Sequence, residues 1–176
     1  MVAARTPNVC LAHAPQRLAA GTVTGQAVVR RKRAPSNWEA KLRPELAPRV
    51  VEDRRRGGRL LLPTPLLIAE AVVGIPRGQV MTLGQLRRAL AERFDADGTC
   101  PLMTGIFVTI LAGTVAEDIG QRRKPRWPIW RLVRDDGTLH PKWPLDALYR
   151  ATMLREEGVR ITHRRGHWAA IDTQHC

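Results

Sequence analysis

The chain has 176 residues, 44% hydrophobic and 26% charged, which fits one globular domain and excludes wholesale disorder. Twenty-nine Lys and Arg against sixteen Asp and Glu give a net charge of +13, a balance that attracts polyanions. The three cysteines, Cys10, Cys100 and Cys176, are too few and too far apart for a disulfide scaffold or a Cys-x-x-Cys metal site. They suit a reducing, cytoplasmic setting. No uninterrupted apolar run reaches about 18 residues, so no membrane-spanning helix is expected.

The charge is uneven. Residues 1–59 carry 13 basic and 4 acidic side chains (+9), and residues 60–176 carry 16 and 12 (+4). Residues 1–35 have no acidic residue and end in the cluster Arg30, Arg31, Lys32, Arg33. They read as a basic mobile arm, with a misassigned start as the alternative. Residues 36–59 read as an irregular or partly helical linker, interrupted by Pro44 and Pro48, with a short helix near Trp38 to Leu42 whose Trp docks on the main domain.

From residue 60 to 162 the pattern is that of a domain, with 163–176 as a C-terminal tail. Thr64 caps and Pro65 begins a helix running to Val73. After the turn Gly74-Ile75-Pro76-Arg77-Gly78, Thr82 caps a second helix, Leu83 to Phe94, with Leu83, Leu86, Leu90 and Phe94 on one face and Arg87, Arg88 and Arg93 on the other. A third, almost wholly apolar helix starts at Pro101 and ends near Asp118. Trp127 to Val133 reads as a strand, and Asp136-Gly137 as the turn of a hairpin returning through Thr138 and Leu139. A last helix is expected over Leu145–Glu156, ended by Gly158, with Val159–Thr162 as a final strand. The expected fold class is therefore mostly α with a small β hairpin, a winged helix-turn-helix behind a basic N-terminal arm.

Four segments, in this order, carry a family resemblance: Ile75-Pro76-Arg77-Gly78-Gln79-Val80-Met81-Thr82-Leu83-Gly84, Pro128-Ile129-Trp130-Arg131-Leu132-Val133, Asp136-Gly137-Thr138-Leu139 and Leu154-Arg155-Glu156-Glu157-Gly158-Val159. Over roughly the last hundred residues the chain resembles the DNA-binding domain of the 6-O-alkylguanine-DNA alkyltransferases and the alkyltransferase-like proteins. That family has Pro-x-Gly-x-Val-x-Thr-Tyr-Gly, Pro-Cys-His-Arg-Val, Gly-x-Leu and Leu-x-x-Glu-Gly-Val at these places. The resemblance implies a winged helix-turn-helix that binds duplex DNA and takes part in repair of alkylated bases.

The departures from the family shape the expectation. Ile129 and Trp130 stand where the family has its alkyl-accepting cysteine and its histidine. An isoleucine has no lone pair to attack with, so no alkyl transfer is expected there and no catalytic residue is assigned. Alkyltransferase-like proteins also lack the cysteine but carry Pro-Trp-His-Arg, which this chain does not match either. Leu83 replaces the tyrosine that presses on a DNA phosphate, and Leu102 aligns with the arginine that fills the gap left by a flipped base. A leucine can still wedge between bases.

Helix 101–116 holds the place of the recognition helix, yet contains no Arg, Lys, Asn or Gln with which to read base edges. Low sequence specificity follows, with Thr104 and Gly105 allowing a phosphate backbone to approach. The expected DNA contacts are Thr82, Leu83, Arg87, Arg88, Leu102, Thr104, Gly105, Arg122, Arg123, Lys124, Trp130 and Arg131. Trp130 is expected to line a base-receiving pocket or to fill it, and Arg131 to meet phosphate or brace the hairpin. The alternative function is a protein-interaction module that kept the fold and lost DNA readout, and a repair protein is an expected partner in either case. A minor alternative is an activity at Cys100, placed at a helix start that favours a thiolate. His163, His167 and His175 lack convincing metal-ligand spacing, and no cofactor, metal or membrane partner is expected.

Overall fold

The structure, a computed structural model, describes residues 37–54, 57–164 and 166–170. The basic arm expected over 1–35 lies outside them. Eleven regular elements follow in chain order: β1 (Arg49–Glu52), β2 (Arg59–Leu62), α1 (Pro65–Val73), β3 (Met81–Thr82), α2 (Leu83–Arg93), β4 (Gly98–Thr99), α3 (Pro101–Gly120), β5 (Leu132–Val133), α4 (Ala147–Glu156), β6 (Ile161–Arg164) and β7 (His167–Ala170). Two short 3-10 turns, Glu39–Lys41 and Ile129–Arg131, complete the set. The fold is mostly α, with three small sheets.

Helix starts follow from local chemistry. The Thr64 side chain accepts from the Leu67 amide at 3.2 Å, and Pro65, which has no amide to leave unpaired, occupies the first turn. Thr82 and Gln85 form a reciprocal capping box: the Gln85 amide donates to the Thr82 hydroxyl (3.1 Å) and the Thr82 amide to the Gln85 side chain (2.7 Å). Asp146 caps α4 by accepting from the amides of Leu148 and Tyr149.

α3 is the central element. Val108, Leu111, Ala112 and Val115 are fully buried against Ile68 and Val72 of α1 and Leu86 and Leu90 of α2 in the larger core. By length and mean hydropathy (1.5) α3 could cross a membrane, which corrects the expectation drawn from uninterrupted apolar length. Here it serves as a core helix, half of it buried in the protein, with Asp118 of its last turn paired to Arg123. A smaller core joins Val80, Trp130, Val133 and Leu139 to Ala151 and Leu154 of α4.

Three expectations are corrected. Within 36–59, expected as irregular or partly helical, Arg49–Glu52 forms a strand antiparallel to β2, and β2 continues parallel to β4. The segment 127–133 is mostly not a strand. Pro128 offers no amide to a ladder, its carbonyl accepts from the Arg131 amide at 3.0 Å, and the chain coils through Ile129–Arg131. Only Leu132 and Val133 are extended, paired parallel to Met81 and Thr82. The Asp136-Gly137 turn does form, with Gly137 at φ 76°, but its return pairs elsewhere: Thr138 bridges Ala169, and the Leu139 amide donates to the Trp168 carbonyl at 2.8 Å. The hairpin of this fold is β6–β7: it starts in the expected final strand, at Ile161 and Thr162, and continues through residues expected to be tail. Trp168, whose ring lies 4.4 Å from that of His163 and under the Arg155 guanidinium, fastens it to α4.

Candidate nucleic-acid interface

The two helices of the helix-turn-helix are tied at the start of α3. The Thr99 hydroxyl donates to the Arg87 carbonyl at 2.8 Å, and the Cys100 amide to the Leu61 carbonyl at 2.8 Å. Cys100 is thereby the residue before the first turn of α3, half exposed. Pinned this way, the first two turns of α3 project a stripe to solvent: Leu102 is 72% exposed and Ile106 48%. Gly105 lies between them, and a Cβ there would meet nothing within 4 Å. The spacing of three and four residues puts all three on one face. Arg88, on the exposed side of α2, has no ion pair among the described residues.

Several expected contacts turn out to have structural duties. Thr82 caps α2, and Leu83 is half buried against the larger core. Thr104 is buried, its hydroxyl donating back to the Cys100 carbonyl at 2.8 Å. Arg87 is half buried, 3.4 Å from Asp135, whose other oxygen accepts from the Gly84 amide at 2.6 Å.

Ile129 and Trp130 do not line an open pocket. Ile129 is 0% exposed and Trp130 7%. The Trp130 indole N–H donates to Glu157 at 2.8 Å, and its ring meets Tyr149 edge-on. Arg131 is equally committed: it forks onto both Glu157 oxygens (2.8 and 3.0 Å) and donates to the Ile75 carbonyl at 2.6 Å. Burial alone would raise the Glu157 carboxyl, but the hydrogen bonds from Arg131 and Trp130 outweigh it and hold the group below its ordinary value of 4.5. Trp130 and Arg131, expected at DNA, brace the joint between the turn after α1, the Ile129–Arg131 coil and the end of α4. Glu157, the hub, was visible only as part of a motif; no local pattern announces that it receives both.

The basic loop lies at the other end of α3. That helix runs 20 residues, about 30 Å at its normal rise, so Arg122, Arg123 and Lys124 are not on one surface with Leu102. Asp118, 1% exposed, accepts from Arg123 at 2.7 Å and from Arg126 at 3.2 Å, and Arg126 reaches on to Glu39 at 2.7 Å. The bonds to Glu39 and Asp118 raise Arg126, and Arg126 in turn lowers Glu39. Arg122 and Lys124 remain exposed.

No protein-family model matches the chain, and no curated protein matches it. Among solved structures it is similar to S. pombe Atl1 in complex with damaged DNA containing O6-carboxymethylguanine: 22% identity, 60% of this chain and 85% of that one, TM-score 0.42. It is also similar to S. pombe ATL in complex with DNA: 19% identity, 62% and 88% coverage, TM-score 0.41.

Proposed function

We propose that this chain is a non-enzymatic, cytoplasmic DNA-binding protein of the alkyltransferase-like kind. Its support is the exposed stripe Leu102, Gly105, Ile106 on α3 and the exposed Arg88 on α2, which has no ion pair among the described residues, in a chain of charge +13. Arg88 contacts phosphate, Gly105 lets the sugar-phosphate backbone come close, and Leu102 and Ile106 press between base steps. Nothing on the stripe reads base edges, so sequence preference is low.

A role in sensing alkylated bases follows from the same contacts. A lesion weakens pairing and stacking, so a leucine wedge opens the duplex at lower cost there. Because Ile129 and Trp130 are buried, the proposed discrimination acts through opening of the duplex and needs no base pocket at these residues. Alkyl transfer is not part of the proposal, because Ile129 offers no nucleophile. The test is duplex binding by the full chain, with and without one alkylated guanine. Arg88→Ala should weaken both complexes alike and reduce the salt slope by about 1, and Leu102→Ala should erase the lesion preference. Unchanged binding in both variants overturns the reading.

The same stripe, free of Arg, Lys, Asn and Gln, favours a second reading as a docking face for an apolar protein partner, such as a repair protein. Binding that persists in high salt selects that reading.

A further inference from the structure

Arg150, one turn into α4, is 0% exposed and the largest of the fully buried side chains among the described residues. Its Nη2 donates to the His140 carbonyl at 2.7 Å, while Nε and Nη1 meet no acceptor among the described residues. The acids nearest to it in the chain are engaged elsewhere. Asp146 accepts from the amides of Leu148 and Tyr149, and Asp136 pairs with Arg134. Burial pulls the guanidinium down to about 10, which still leaves it charged near neutral pH. A buried charge is ordinarily paired or fully hydrogen-bonded, because desolvating it alone is strongly unfavourable.

The turn from His140 to Asp146 covers this guanidinium. The Trp143 ring lies 5.0 Å from it and stacks on the His140 imidazole at 5.5 Å. A ring face offsets part of the charge but gives Nε and Nη1 no oxygen. His140 accepts the Lys142 amide on Nδ1 at 3.3 Å, so its neutral form holds the proton on Nε2, a further donor. Burial, then Arg134, Arg150 and Lys142, holds that imidazole below its usual value. We propose that Arg150, beneath the 140–146 turn, is the binding group of a small oxyanion site of phosphate type, whose oxygens supply the acceptors that Nε and Nη1 lack. The phosphate is either the free ion or a group of a nucleic-acid backbone. The site goes beyond DNA binding at the Leu102 stripe and does not depend on it.

The test is thermal unfolding of the full chain in inorganic phosphate, against sodium chloride at equal ionic strength. Phosphate also stabilises proteins by exclusion from their surfaces, a part common to wild type and Arg150→Met. Beyond that part, saturating phosphate should raise the wild-type Tm by several degrees and leave Arg150→Met unmoved. If the phosphate belongs to nucleic acid, the two Tm values respond alike and Arg150→Met lowers the duplex salt slope by about 1. Alike Tm responses together with an unchanged duplex slope overturn the site. A phosphate response confined to the wild type, in a protein that binds no duplex, retains the site and removes the DNA reading. Where Arg150→Met fails to fold, the wild type decides. Its Arg150 Nε–H nuclear magnetic resonance should shift and saturate with added phosphate or duplex, and a resonance unmoved by both overturns the proposal.

Discussion

Glu157 concentrates four donors on one carboxylate: the Trp130 indole, two nitrogens of the Arg131 guanidinium and the Gly78 amide. Its side chain is 6% exposed, so removing it leaves a largely buried guanidinium and an indole N–H without an acceptor. Glu157→Ala should cost about 3–5 kcal/mol in urea unfolding, the range for breaking a buried pair from one side. Glu157→Gln should cost less, because its amide oxygen still accepts from one of these donors. The pH dependence has a fixed sign. The folded carboxyl titrates below its unfolded value of about 4.5, so its stabilisation is complete above that value and disappears as pH falls through the folded one. Acid unfolding of the wild type should therefore be steeper than that of Glu157→Gln as pH falls below the ordinary carboxyl value of 4.5. An identical acid profile would show that the carboxylate does not hold the joint.

At the scale of elements, what was legible had a local cause. The Thr64-Pro65 start and the Thr82-to-Gln85 box each lie within four residues, so α1 and α2 could be placed from sequence, and Thr82→Ala should cost α2 about 1 kcal/mol. What was not legible depends on distant partners. The run Ile129 to Val133 has strand-like residues, but Pro128 turns its start into a coil, and its two extended residues pair with Met81 and Thr82, some fifty positions away. The strand that answers Thr138 is β7, in a segment rich in His and Arg with no alternating apolar pattern. Trp38 was expected to dock, but its seat, Gly113, lies in an apolar helix where nothing distinguishes one small residue from another. Gly113→Ala places a methyl group into the indole and should expel it. The measured signs would be faster proteolysis within 37–48 and a red-shifted tryptophan emission, with α3 itself intact.

For the molecule as a whole, sequence gave the charge and the order of helices but could not say which basic residues share a surface. Arg122, Arg123 and Lys124 read as neighbours of Arg87 and Arg88 in a single patch; the length of α3 separates them into two ends. Leu102 was expected at the DNA from its place in the helix, but the exposure of Ile106 and the burial of Thr104 and Val108 between and after them show only in the fold. In the proposed reading a DNA duplex meets the exposed apolar edge at the start of α3, while the exposed Arg122 and Lys124 follow its other end.

The most direct measurement is fluorescence-anisotropy titration of a short duplex, with and without one 6-O-methylguanine, over a salt series. The account predicts binding at low salt that weakens linearly in log salt, with tighter binding to the lesion duplex. Absence of binding at low salt, or binding indifferent to salt, would contradict it and leave the Leu102 stripe as a surface for a protein partner.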